Sequence, residues 1–366
     1  MRVHSRLLLW SSGLFAALVC TILVSARIGP VSIDTWTVVR ATINTLAYPS
    51  GVSLESTRAG VLGHGLDLPV PDLAYTRPFS LSVDSSDQVI VQQLRLPRIL
   101  LGAIVGFALA TAGAVMQGFF RNPMADPSII GVSSGAAVGA VAVIAFPIAM
   151  PFGLQTAAFV GSLIAAFGVY LIATEGGRTP VATLLLAGIA IQTFLGAVIS
   201  YMLLYTGDNL EEAILWLMGH LRWSSWGDVE ATLPLTVIVF VVLLAYARDL
   251  NVMLLGEEDA QTLGIDVEWT KRILLAGASI ITAAGVAVAG IIGFVGLIVP
   301  HIMRLLVGPD HRILIPTSAL AGATFLVAAD TLARAGPAEV PVGIVTAAVG
   351  APFFLFLLRK REVHAL

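Results

Sequence analysis

The chain has 366 residues, 57% of them apolar and only 12% charged, with a mean hydropathy of +0.91. A soluble surface needs roughly 25% charged residues, so a soluble globular protein is excluded. A net charge of -3 excludes the cationic field of a nucleic-acid binder. A single cysteine, Cys20, with no Cys/His cluster, gives no expectation of a disulfide, a metal site or a redox cofactor.

The charges punctuate long uncharged runs, at 7–26, 99–120, 127–174, 179–207, 231–247, 273–303, 313–329 and 340–358. A hydrocarbon core about 30 Å thick takes about 20 helical residues, and only helices or closed barrels satisfy the backbone there. The ten-residue alternation of a barrel is absent. The expected fold class is therefore all-α, a polytopic transmembrane helical bundle forming one transmembrane domain over 1–366.

In chain order, Arg2 and Arg6 precede the first span, whose 20-residue run is longer than a usual signal-peptide core. A cleaved signal peptide is the weaker reading. The segment 27–97 is Pro- and Gly-rich and is expected as a partly ordered extracytoplasmic loop between helices 1 and 2. The run 127–174 must be two helices, breaking at Pro147, Pro151 and Gly153. Arg359, Lys360 and Arg361 follow the last span, so the positive-inside rule puts both termini in the cytoplasm. An even number of spans is then required, and 273–303 should hold two helices breaking near Gly290 and Gly293. Ten spans result, in a multi-pass cell-membrane protein.

The chemistry is defined mainly by elimination. A P-loop needs a lysine after glycine, and the only lysines, Lys271 and Lys360, do not follow one. No run carries an acid in its middle, and Asp126, Asp330 and Glu339 lie at span ends. A gradient-driven transporter working alone is thus disfavoured but remains the rival reading. The inner loop 248–272 contains a short amphipathic helix with Glu257, Glu258 and Asp259 in its first turn, where the helix dipole favours acids, and Gly264 as its cap. An acidic face suits a cytosolic partner better than the negative inner leaflet.

From about residue 94 to 358 the chain carries motifs in fixed order. These include Arg95-Leu-Pro-Arg98, Gly113-Ala-Val-Met-Gln117, Arg121-Asn-Pro-Met-Ala-Asp-Pro127, Trp216-Leu-Met-Gly219, Leu255-Gly-Glu-Glu-Asp-Ala-Gln-Thr-Leu-Gly264 and Gly290-Ile-Ile-Gly-Phe-Val-Gly-Leu-Ile-Val-Pro-His301. They continue through Asp310-His-Arg312, Asp330-Thr-Leu-Ala-Arg334 and Gly350-Ala-Pro-Phe-Phe354. This set resembles the FecCD-type permease subunits of binding-protein-dependent ABC importers for vitamin B12, ferric siderophores and haem. The resemblance implies a ten-helix type II importer permease, not an enzyme, that pairs with a second copy of itself in the membrane lipid. Two cytosolic ABC ATPase subunits would dock on Gly256, Glu257, Glu258, Ala260, Leu263 and Gly264, and an extracytoplasmic solute-binding protein would dock outside. The transported metal-chelate ligand would be cobalamin, with a ferric siderophore or haem as alternatives.

By position, Arg95, Arg98 and Arg334 match arginines that meet glutamates of the binding protein in the B12 permease. Asn122 and Met124 match the family's cytoplasmic gate, with methionine where leucine is usual. A second gate of small hydroxyl residues is not carried over, because Val181 and Ala182 stand there. His301 reads as a structural group, Met116 and Gln117 as packing, and Gly131, Gly135 and Gly139 as a four-residue repeat that lets two helices approach.

Overall fold

The computed structural model describes residues 3–29, 31–45, 48–61, 64–76, 78–146, 153–336 and 338–360. Helix α1 (Val3–Arg27) opens the chain, followed by the short α2 (Thr35–Ile43), which Asp34 caps by accepting from the Trp36 amide at 2.9 Å. Strands β1 (Tyr48–Val61) and β2 (His64–Thr76) form an antiparallel hairpin, in register from Tyr48 opposite Thr76 to Val61 opposite His64, with a bulge at Pro49/Gly51. This hairpin makes up part of the segment 27–97. Prolines do not prevent it, because each strand of a two-stranded ribbon has an unpaired edge where a missing N–H costs nothing.

Helix α3 (Ser85–Val89) runs through one wide π turn (Ile90–Arg95) into α4 (Leu96–Phe119), with Pro97 just after the π turn. Then come α5 (Val132–Ala145), α6 (Gly153–Ala173), α7 (Val181–Leu203), α8 (Leu210–Leu217) and α9 (Trp226–Ala245). The short α10 (Ala247–Met253) and α11 (Glu257–Thr262) precede α12 (Val267–Ala289), α13 (Val295–Val307), α14 (His311–Arg334) and α15 (Val342–Lys360). Both expected helix breaks are present. The prolines Pro147 and Pro151 lie outside the described residues, whereas α12 ends at Gly290 (φ 70°) and the chain turns again at Phe294 (φ 68°) before α13.

Among the described residues, seven helices are long and apolar enough to cross a membrane, and α5, α13 and the apolar part of α15 are shorter apolar helices. Burial separates post from periphery. The most apolar stretch of α4 is 89% buried, that of α12 72% and that of α14 67%, against 28% for α9, 17% for α7 and 0% for α1. Helix α4 is therefore the central post, and the outer helices turn apolar faces to lipid or to a partner.

Between apolar helices in lipid, association rests on close packing and not on the hydrophobic effect, and small residues supply it here. A Cβ on Gly113 of α4 would lie 1.8 Å from the Gly296 carbonyl oxygen of α13. On α5, a Cβ at Gly135 would meet the Gly161 oxygen of α6 at 2.3 Å, and one at Gly139 the Ala157 oxygen at 2.1 Å. Gly131 differs from the expected repeat. It holds φ 82° as the turn into α5, and a Cβ there would find no atom nearer than 3.6 Å, so its backbone and not its size is what is used.

The outer segment is partly built into the bundle. Ile33, Val38 and Ala41 pack with Ala26, Val91, Leu96, Ile99 and Val327 in a small second core. Asn44 clamps Leu81 by accepting from its amide at 2.8 Å and donating to its carbonyl at 2.9 Å, and Trp226 Nε1 donates to the Gln92 carbonyl at 2.9 Å.

Candidate functional site: an arginine rim, an inner turn and a docking helix

The three arginines expected at the outer surface come together where α1, α4 and α14 meet, and all three are engaged inside the chain. Arg95, 5% exposed, donates from Nη1 to the carbonyls of Ala26 (2.6 Å) and Arg27 (3.2 Å) and from Nη2 to that of Val31. Those carbonyls lie at and beyond the C-terminus of α1, where the helix leaves acceptors unpaired and a cation is favoured.

Arg98 grips Asp330 with Nε at 3.1 Å and Nη2 at 2.7 Å, while its Nη1 reaches Glu339 at 2.6 Å. Arg334 shares Asp330 through Nε at 3.0 Å, one helical turn on, and donates to Ser25 Oγ (2.7 Å) and the Ile28 carbonyl (3.1 Å). The Asp330 carboxylate is 3% exposed and serves two guanidinium groups; this bidentate fork geometry is specific to arginine. Glu339 is one-third exposed and also faces Arg222 at 3.9 Å, whose side chain is 62% exposed. Arg222 is thus an exposed cation beside this rim. The sequence places Asp330 and Glu339 at span ends without pairing them to the arginines, although the i,i+4 spacing of Asp330 and Arg334 is a pairing signal.

At the opposite end of α4, Arg121 takes a left-handed conformation (φ 47°) and the chain reverses. Asn122 is exposed and Met124 half-buried. The Asn122 side-chain oxygen accepts from the Met124 amide at 2.9 Å, its carbonyl accepts from Ala125 at 3.0 Å, and its amide donates to the Gln117 carbonyl at 3.0 Å. Asp126 then caps the 3-10 turn at Pro127–Ile130 through the Ser128 amide at 2.8 Å. The asparagine is the residue type that makes such a turn from its own side chain. Behind it lies a pairing that sequence reading did not reveal. Gln117, fully buried, donates to the Leu297 carbonyl at 2.9 Å and accepts from Arg304 Nη2 at 3.3 Å, tying α4 to α13. Met116 is likewise fully buried, and His301 is buried on α13.

The short helix expected in the acidic loop is present as α11. Gly256 enters it with φ 138°, Glu257, Glu258 and Asp259 fill its first turn, and Gly264 leaves with φ 87° in open space. Ala260 is fully buried and is the apolar anchor of α11, whereas Leu255 (66% exposed) and Leu263 (63%) point outward. The two exposed leucines flank three acids, of which Glu258 and Asp259 are exposed and Glu257 pairs with Lys271 at 2.7 Å. Between α13 and α14, Asp310 caps α14 by accepting from the Arg312 amide at 3.1 Å and also holds Asn251 at 2.7 Å and the Arg312 guanidinium at 2.7 Å. The Arg312 guanidinium bonds, ahead of the other contacts, hold this carboxyl at about 2.

These features can be set beside known proteins. The family model described as the FecCD transport family matches residues 16–360. The chain is 58% identical over 99% of its length, and 99% of the other protein's, to the cobalamin import system permease protein BtuC of Halobacterium salinarum. It is 41% identical to the hemin transport system permease protein HmuU of Yersinia pestis, covering 79% of this chain and 89% of that one. With the Fe(3+) dicitrate transport system permease protein FecD of Escherichia coli the identity is 39%, over 86% and 96% of the two chains. Among solved structures, a chain of a metal-chelate type ABC transporter in an inward-facing conformation superposes with a TM-score of 0.77 at 30% identity, covering 96% of this chain and 98% of that one. Motif order, helix order and full-length identity agree, and the chain belongs to the FecCD transport family, the multi-pass membrane permeases of ABC importers.

Proposed function

We propose that this chain is the permease subunit of a binding-protein-dependent importer that carries cobalamin inward on ATP hydrolysed by partner chains. The observation that carries the substrate is the 58% identity, end to end, with a permease named for cobalamin import. A ferric siderophore or haem is the second reading, because relatives named for haemin and ferric dicitrate reach 41% and 39%.

In this reading the seven long and three shorter apolar helices make ten spans, with both termini in the cytoplasm beside most of the basic residues. Two copies enclose the path. The turn at Asn122 and Met124 closes it on the inside. Two ATPase subunits seat on the surface from Gly256 to Gly264, where the exposed Leu255 and Leu263 and the acidic first turn offer apolar area ringed by charge, and the solute-binding protein seats on the outer rim. Arg95, Arg98 and Arg334 fix the shape of that rim through their internal bonds, and Arg222 and Glu339 present its open charges.

The deciding experiment reconstitutes the permease with its ATPase and binding protein in liposomes and measures ATP-dependent uptake of cobalamin, a ferric hydroxamate and haem side by side. Cobalamin accumulation above the other two is the expected result. Preference for either iron ligand transfers the assignment to that ligand, and uptake driven by an ion gradient with this chain alone overturns the importer reading.

A further inference from the structure

One buried charge belongs to none of the motifs above. Lys271, on the first turns of α12, is 4% exposed. Its Nζ donates to Glu257 Oε2 at 2.7 Å, Glu268 Oε1 at 3.2 Å and the Thr179 carbonyl at 3.4 Å. An ammonium has three donors, so each is used, and each reaches a different element: α11, the first turn of α12, and the connection from α6 to α7.

The third element is itself stiff. Glu175 and Arg178 exchange backbone hydrogen bonds of 3.0 Å in both directions around Gly176 (φ 58°) and Gly177 (φ 79°), a two-residue turn whose paired positive φ values only glycine adopts readily. Thr179 is held on both sides, its carbonyl by Lys271 and its amide by the second oxygen of Glu268 at 3.3 Å, while its hydroxyl meets that of Thr174 at 3.1 Å. Pro180 and α7 follow at once.

Stability alone does not account for a lysine here. An apolar side chain of similar volume at a buried ion-pair site is commonly neutral or stabilising, and the best-attested use of such a site is to fix register. The apolar contact of Ala260 is non-directional and fixes no register by itself; a charge shared among three acceptors does.

We propose that Lys271 is a positioning residue that locks α11 to the α6–α7 turn, so that displacement of α11 is delivered to the start of α7. This rests on α11 being the ATPase seat.

The test uses the full complex in liposomes and compares wild type, Lys271→Met and Lys271→Arg. The methionine variant should keep its ATPase subunits and hydrolyse ATP, yet lose at least about fivefold in ligand moved per ATP, the low end of coupling between sites; arginine should recover most of it. Unchanged transport per ATP in Lys271→Met refutes the proposal. The docking premise is checked separately: if Leu263→Pro leaves the ATPase subunits bound, it is the seat on α11 that fails. A second readout does not depend on turnover. With Cys20→Ser as background, spin labels on the exposed positions Glu175 and Gln261 should keep one separation with and without trapped nucleotide, and that separation should change with nucleotide in Lys271→Met. A separation that changes equally in both proteins also refutes it.

Discussion

Replacing Asp330 by asparagine keeps the side-chain volume and removes the charge that two buried guanidinium groups share. Arg334, with a 6% exposed side chain, would be left with only neutral partners, Ser25 Oγ and the Ile28 carbonyl. Arg98 would keep Glu339 at 2.6 Å, so its loss is partial. Breaking a buried pair by removing one partner costs about 3–5 kcal/mol, because a charge is stranded away from solvent. Glu339→Gln removes a carboxylate that is one-third exposed and leaves Asp330 in place, so its cost should be near the surface value of about 0–1 kcal/mol. Equilibrium unfolding of the detergent-solubilised protein measures both, and the first loss should exceed the second at least about threefold. The double variant Asp330→Asn/Arg334→Gln should recover a large part of the loss, since it removes the stranded cation. Equal losses for Asp330→Asn and Glu339→Gln, or no recovery in the double variant, would refute the account of the rim as a buried charge network.

Three further outcomes follow from particular residues. Gly113→Ala places a methyl 1.8 Å from a backbone oxygen that no rotamer change can move, and should cost about 1–3 kcal/mol or more, whereas Gly293→Ala, with nothing within 4 Å, should be tolerated; expression and melting temperature in detergent separate the two. Leu263→Pro should release the ATPase subunits on co-purification, because proline at the end of α11 disturbs the turn to Gly264. Asp310 titrates near 2 in the fold against its ordinary 3.8, so the carboxylate stabilises the protein above about pH 4 and that contribution disappears as pH falls toward 2. Acid titration of wild type and Asp310→Asn should therefore show a stability gap at neutral pH that closes below pH 4; a gap that stays constant down to pH 2 would contradict it.

The arginines of the rim show how far a test designed from sequence depends on burial. Charge reversal at Arg95 and Arg334 is the natural docking test if both face outward. The structure makes it a test of folding, since Arg95 closes three carbonyls around the end of α1 and Arg334 shares Asp330. Charge reversal at the exposed Arg222 probes the same surface without dismantling it.

What the sequence determined by itself is what local chemistry dictates. Uncharged runs of span length specify membrane helices because hydrocarbon tolerates no unsatisfied backbone. The break in 273–303 was legible from the charge-imposed parity of spans, and α11 from an acidic first turn between two glycines. Motifs in fixed order named the family. Tertiary structure alone decided which helix is the post, since α4 and α7 are almost equally apolar and differ only in what surrounds them. It also decided that 48–76 pairs as a hairpin, and that Arg98, Asp330, Arg334 and Glu339, and likewise Glu257, Glu268, Lys271 and Thr179, converge. Those pairings join residues as far apart as Arg98 and Glu339, and no periodicity encodes a contact that exists only once helices have packed.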